Sequence, residues 1–411
     1  MAALTDTLYT SYLKEWYPGT VAADLTYDDR PWLGIINKNA GVRGEVYPKP
    51  ARYTNTKGRS ALFSKAHANQ APANRVRWAN THADNYSKAT VENKVIELSM
   101  GNDAAFREAL TDAVDAAYGA FADDLHFELF GDGTGSRGNT IATTTTTSVQ
   151  LSPGEARFFE EGMVITHAVS PFSALLDGGE TTTVTAVDRD NDKLTITAFA
   201  TTAAAASQRI YADGDFGIKA NGFKAWLPTY AGIVAGGGSA PNTFLTVDRS
   251  KDGSRLAGIE GVAGTTAGLE VTEALVNSAA KGQREGAKLN LALLHPTDRA
   301  RLALETEQRA RYAKVYSSEG NISFSALVLE TGSGAIPVMS DPAQPIDSSY
   351  MVDTREWELF SAGGLPSMFD KDGNFYHREE TLDTIAFYLY GFYNKQTQKP
   401  GKHVYVSDLG Y

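Results

Sequence analysis

Residues 102–135 read NDAAFREALTDAVDAAYGAFADDLHFELFGDGTG, and the apolar side chains Phe106, Leu110, Val114, Ala117, Phe121, Leu125 and Leu129 recur in it every three or four positions. That is the period of one helix face. Asn102 and Asp103 are suited to cap the start and Gly131 to stop the end. The spacing predicts a helix over 103–130, roughly 40 Å long at about 1.5 Å per residue, the proportions of a strut. Gly119 sits inside it at a cost of about 1 kcal/mol against alanine, which packing has to offset.

Upstream of this helix lies the most basic part of the chain. Between residues 43 and 77, Arg43, Lys49, Arg52, Lys57, Arg59, Lys65, Arg75 and Arg77 face a single acid, Glu45. The window carries +7 in a chain of net charge −11, which leaves −18 for the rest. An acidic body with a basic arm can satisfy its charge on a second copy, and such complementarity sets partner and register more than affinity. Residues 42–82 read as a long hairpin, with Val46, Tyr47, Tyr53, Leu62 and Phe63 on one side and Val76 and Trp78 on the return, punctuated by Pro48, Pro50, Gly58 and Pro72. Prolines remove ladder donors and the cations resist burial, so the segment reads as an excursion from the core. Before it, Leu8, Tyr9, Tyr12, Leu13, Trp16 and Tyr17 form a short amphipathic piece, and Pro31, Trp32, Leu33, Ile35 and Ile36 an apolar knot. A helix that short needs another surface, its own core or a neighbour's.

Downstream, the glycines at 131, 133 and 135 make a sharp turn, and from about 143 to 213 the chain is rich in Thr, Ala, Val and Ile without helical period. Residues 181–187 and 194–199 alternate across an Asp-rich turn and read as a β-hairpin within a separate all-β insert. From Phe216 the pattern is mixed: a helix from Glu273 to about Gly286 after Thr272, a buried strand over 289–294, a helix near Thr297, and strands at 335–339 and 349–352. The strands at 385–393 and 404–406 are both expected in a sheet against the long helix.

At 411 residues, with 42% hydrophobic and 10% aromatic side chains, the chain can bury two or three cores. Having no cysteine, it has no disulfide, thiolate nucleophile or Cys-ligated zinc. No stretch approaches the roughly 18 apolar residues of a membrane span, so a protein made and kept soluble in a cytoplasm is expected. The acidic body argues against wrapping nucleic acid.

Chemistry finds little support in the residues. Asp188, Asp190 and Asp192 resemble the start of a calcium loop, but the glycine and closing glutamate are missing. They read as a polar turn. The glycines at 131, 133 and 135 follow a helix rather than a strand and lack the Lys-Ser/Thr of a phosphate loop. His67, His82, His126, His167, His295, His377 and His403 are scattered. Asp370, Asp372 and Glu380 are candidate acids on a loop, without a nucleophile signature nearby. No catalytic, metal-binding or cofactor-binding residue is assigned.

Taken in order, the segments Pro31 to Ile36, Val46 to Tyr53, Gly58 to Phe63, Glu128 to Gly135, Trp226 to Pro228, Phe244 to Arg249 and the closing strands resemble the major capsid proteins of tailed bacteriophages with the Hong Kong 97-like fold. The resemblance spans nearly the whole chain. It implies an α+β capsid fold with an N-terminal arm (1–42), an extended loop lying on an adjacent subunit (43–82), and a peripheral domain (83–139 and 376–411) built on a spine helix (103–130). It further implies a β insertion domain (140–214) and an axial domain (215–375). The function implied is a non-enzymatic protein that self-assembles into pentamers and hexamers of an icosahedral head enclosing double-stranded DNA, without sequence-specific binding. Implied partners are portal, a separate scaffolding protein and decoration proteins, and the implied location is the virion. Family members that cross-link use a loop lysine, and Lys57 and Lys65 lie in that region, though no partner Asn or catalytic Glu can be matched.

The side chains expected between subunits are Arg43, Lys49, Arg52, Lys57, Arg59, Phe63, Lys65, Arg75, Arg77, Trp78, Trp16 and Trp32. Two other readings stand beside this one. One is the shell protein of a cellular nanocompartment, against which chain length and the β insert count. The other, of a different class, is a β-rich hydrolase, which would need a pocket of convergent acids.

Overall fold

The computed structural model describes residues 30–92, 103–169, 174–199, 208–228, 243–262, 268–306, 327–332, 334–370, 377–378 and 383–410. The amphipathic piece over 8–17, with Trp16, lies outside them, as do Asn102, Asp372 and Glu380.

The long helix runs Asp103–Glu128. Ala117, Phe121, Leu125 and, just past its end, Leu129 are buried, the periodic face read from the sequence. Its terminal carbonyls are met by the next element. Phe223, Lys224 and Ala225 donate their backbone N–H groups to the carbonyls of Leu129, Phe130 and Gly131, so the short helix Phe223–Trp226 abuts the long one end to end. A Cβ on Gly222 would lie 2.3 Å from the Glu128 carbonyl oxygen, so only glycine allows this approach.

Two sheets and a barrel are arranged around this helix. In the first sheet the 14-residue strand Thr384–Thr397 is the hub; it pairs with Ala83–Glu92, Trp357–Ser361, Ser367–Met368 and His377–Arg378, while Asn37–Asn39 adds parallel to Trp357–Ser361. The second sheet runs in the order Ile259–Glu260, Val404–Ser407, Ser348–Val352, Leu291–Leu294, Gly334–Ser340, Leu327–Thr331. It carries the helices Val271–Arg284 and Pro296–Thr306. The first of these begins two residues before the position expected after Thr272. The Glu305 carboxylate accepts the N–H groups of Val271 and Thr272 at 3.3 and 3.0 Å, capping the helix from its neighbour.

Three strands change places relative to the sequence reading. Val404–Ser407 joins the second sheet, between Ser348–Val352 and Ile259–Glu260, instead of lying against the long helix. Trp357–Ser361 and Ser367–Met368, read as axial, belong to the first sheet. Short apolar strands fit any open edge by pattern alone; here the burial of Trp357 and of Val404 and Val406 in different cores selects the edge.

Six strands between Ser136 and Ala212 close into a barrel. Thr182–Asp188 and Lys193–Ile196 form the expected hairpin, with Val184 opposite Ile196. Closure comes from Gln208–Ala212, which pairs with both Val164–Val169 and Ser136–Thr145. Ion pairs tie the barrel and the segment after it to the long helix and the turn that follows it: Arg137 pairs with Asp124, Arg209 with Asp132 at 2.7 Å, and the Lys219 Nζ lies 3.0 Å from both Asp124 and Glu128. Burial pushes Glu128 up to about 7, although Lys219 opposes it. Burial alone would raise Asp124 as well, but Arg137 and Lys219 outweigh it and hold that carboxyl below its ordinary value.

Candidate assembly surface

The basic hairpin is built from Val46–Arg52 and Arg75–Thr81, paired without a slip from Val46 opposite Thr81 to Arg52 opposite Arg75. Pro48 and Pro50 are tolerated because this sheet has only two strands, leaving an edge where no donor is required. The root is held firmly. Trp78 is fully buried and packs edge-on to Trp226, the Ala79 N–H donates to the Leu245 carbonyl at 3.3 Å, and the Asn80 side chain donates to the Lys395 carbonyl at 3.0 Å. The Lys49 ammonium meets Glu358 at 2.8 Å. Burial works to lower the Lys49 pKa, but hydrogen bonds to Glu358 and Tyr47 overcome it and raise the value.

These contacts correct three of the expected intersubunit side chains. Trp78 and Trp32 fill the protein's own core, Trp32 against Phe223 at 5.1 Å, so neither is offered to a neighbour. Lys49 is engaged by its own chain. An indole is equally at home in either kind of pocket, which is why composition alone could not separate the two.

Apart from Trp16, which lies outside the described residues, the remaining members stay in solvent. Arg43, Arg52, Lys57, Arg59, Phe63, Lys65, Arg75 and Arg77 are all exposed. Among the described residues no carboxylate lies within ion-pair distance of any of these seven cations. The tip folds on itself through a short helix, Phe63–Ala68, and a Cβ on Gly58 would meet the Ala66 carbonyl oxygen at 2.8 Å. At this tip Leu62 is 62% and Phe63 88% exposed. Large apolar groups held open at this tip make it a candidate contact surface.

One exposed aromatic was missed in the sequence. Tyr86, 65% exposed, projects from Ala83–Glu92 on the face opposite the long helix. Its signal was the alternation: Asp84, Lys88 and Glu92 share its parity and are exposed, whereas Ala83, Ala89 and Val91 are buried.

Among the described residues no three His, Asp or Glu side chains converge at metal-binding distance. A cleft of about 480 Å³ at the hairpin root has Glu285 as its one carboxylate, whereas two clefts beside the long helix gather several, Asp123, Asp124 and Glu160 in one and Asp132, Glu155 and Asp347 in the other. The Asp-rich turn satisfies itself, with the Asn191 N–H donating to Asp188 at 3.1 Å. Among the described residues no helix is long and apolar enough to cross a membrane.

No protein-family model and no curated protein matches the chain. Its structure is similar over 99% of its length to the cyanophage A-1(L) capsid asymmetric unit, covering 100% of that chain, with a TM-score of 0.57 at 12% identity. The fold is that of a phage capsid protein. This capsid fold also gives similarity to the SrpI encapsulin complex of Synechococcus elongatus (TM-score 0.47, 8% identity, 99% of this chain and 96% of that one). The capsid of the native GTA particle is similar at TM-score 0.46 and 10% identity, with 99% of each chain covered. In the capsid fold the exposed hairpin and its cations lie on one continuous chain with an acidic body.

Proposed function

We propose that this chain is the major capsid protein of a tailed phage, assembling into pentamers and hexamers that close an icosahedral shell around double-stranded DNA. What carries the reading is the correspondence with a phage capsid subunit along 99% of the chain. Many modest interfaces hold the shell, and the basic hairpin, lying on an acidic neighbour, supplies one class of them. Such contacts weaken with salt, since exposed charges are screened beyond about 8 Å at physiological ionic strength. Portal, a separate scaffolding protein and decoration proteins are its partners in the virion, after synthesis in the host cytoplasm. The protein itself has no catalytic role.

Negative-stain electron microscopy and light scattering on the purified protein, at several concentrations and salt levels, test this. Shells, tubes or five- and six-membered rings are expected. A monodisperse monomer under every condition overturns the reading.

A further inference from the structure

The cleft of about 480 Å³ at the hairpin root is walled by three separate stretches of chain, and each brings cations to it. Arg52 comes from the hairpin, Arg255 from the short helix Gly253–Leu256, and Lys399 and Lys402 from the turn that links Thr384–Thr397 to Val404–Ser407. A Cβ on Gly401 would lie 2.6 Å from the Arg255 Cα, so glycine there lets turn and helix touch and brings their cations together.

Only part of this charge is answered. Lys399 meets Glu356 at 2.6 Å, Arg255 meets Asp252 at 3.6 Å, and Glu285, the one carboxylate of the lining, is itself held by Arg284 at 3.4 Å. Lys402 donates to the Gly286 carbonyl, which has no full charge to offset its own. Arg52 has no carboxylate within ion-pair distance among the described residues, and the hairpin register sets it directly opposite Arg75, which has none either. Like charges so placed repel. A further cation stands close by. Trp78, in the cleft wall, packs against Phe244 at 6.3 Å, and the buried Arg249 guanidinium lies 3.8 Å over that Phe244 ring. Arg249 donates to the Ala225 carbonyl at 2.8 Å, its Nε finds no acceptor, and among the described residues no carboxylate pairs with it.

We propose that this cleft binds a small multivalent oxyanion of the phosphate class. Guanidinium groups match the paired oxygens of such an anion, and ammonium groups add point charge. A cleft lined by one sign of charge also concentrates the opposite ion. A divalent or higher charge answers Arg52 and Lys402 together, which chloride or a single carboxylate does not. The bound anion ties the hairpin root to the turn between the two sheets, so it stabilises the folded chain by mass action. The site lies within one subunit and is complete without a neighbour.

Pyrophosphate is the probe. Titration calorimetry of the purified full-length protein at fixed ionic strength should show saturable binding, with the melting temperature rising as the site fills. Arg255→Gln and Lys402→Gln should each weaken binding roughly tenfold or more, while Arg378→Gln, which removes an exposed cation outside the cleft, should leave it unchanged. Glu285→Gln removes the one like charge and should tighten binding several-fold, a change that a folding defect cannot produce. Wild-type protein that shows no saturable binding, or equal affinity in all four variants, overturns the site.

Discussion

Trp78 stands edge-on to Trp226, ring centroids 5.3 Å apart and planes at 64°, and both rings are fully buried. This pair welds the root of the hairpin to the short helix that closes the end of the long one. Trp226 also donates its indole N–H to the Lys395 carbonyl at 2.9 Å. The hairpin is thus rigid at its base and open at its tip, the form of an arm that reaches another molecule.

Trp78→Ala should therefore act on stability and Phe63→Ala on assembly. Truncating the buried indole costs about 3–5 kcal/mol. Truncating the exposed phenyl changes unfolding by no more than about 0.5 kcal/mol, while particle yield falls. Urea unfolding and electron microscopy on both variants separate the two effects; a large stability loss in Phe63→Ala would contradict the open tip.

Reversing charge at Arg52 and Arg59 should block assembly and leave the monomer folded, because among the described residues neither side chain has a carboxylate partner. Circular dichroism should be unchanged and particles absent. Normal shells from the double glutamate variant would remove the hairpin charge from the mechanism.

Two glycines should respond oppositely to alanine. A Cβ on Gly119 meets nothing within 4 Å, so Gly119→Ala should stabilise the long helix by about 0.5–1 kcal/mol. Gly222→Ala forces a Cβ onto the Glu128 carbonyl oxygen and should destabilise by at least about 1–3 kcal/mol. Melting temperatures moving in opposite directions would bear this out.

Buried histidines should make the fold sensitive to acid. The His403 Nδ1 accepts from the Asp353 N–H at 3.2 Å, and the ring is fully buried against Trp357 at 4.9 Å. Burial holds its pKa down to about 3, with Lys395 and Lys399 adding to the effect and Asp353 opposing it. The unfolded chain, near 6.5, binds a proton that the folded chain refuses. Stability is whole above pH 6.5 and falls as pH drops toward 3, roughly tenfold in the unfolding equilibrium per unit. His295, held down to about 4 by burial and Arg157, adds in the same direction. His403→Gln should flatten the slope of urea stability between pH 6.5 and 4.5; an unchanged slope would exclude His403 as its source.

Removing one member of the buried ion cluster should be costly. Arg137→Met leaves Asp124 facing Lys219 alone and should cost about 3–5 kcal/mol. Arg137→Met with Asp124→Leu should recover part of that loss, read by denaturant unfolding.

The sequence by itself determined the long helix, the Asp-turned hairpin at 182–196 and the basic excursion before Asp103, because helical period, turn residues and charge runs are local properties of the chain. The fold class was expected from the family resemblance that the order of these segments carries. Only the tertiary structure decided that Val404–Ser407 and Trp357–Ser361 pair in different sheets, and that Gln208–Ala212 closes the barrel. It also decided that Trp78 and Trp32 turn inward while Phe63 and Tyr86 face solvent. An aromatic ring is stabilised by removal from water whichever chain provides the pocket, and a short apolar strand satisfies its hydrogen bonds at any open edge. Which pocket and which edge are settled by contacts between residues far apart in sequence, where local pattern carries no information.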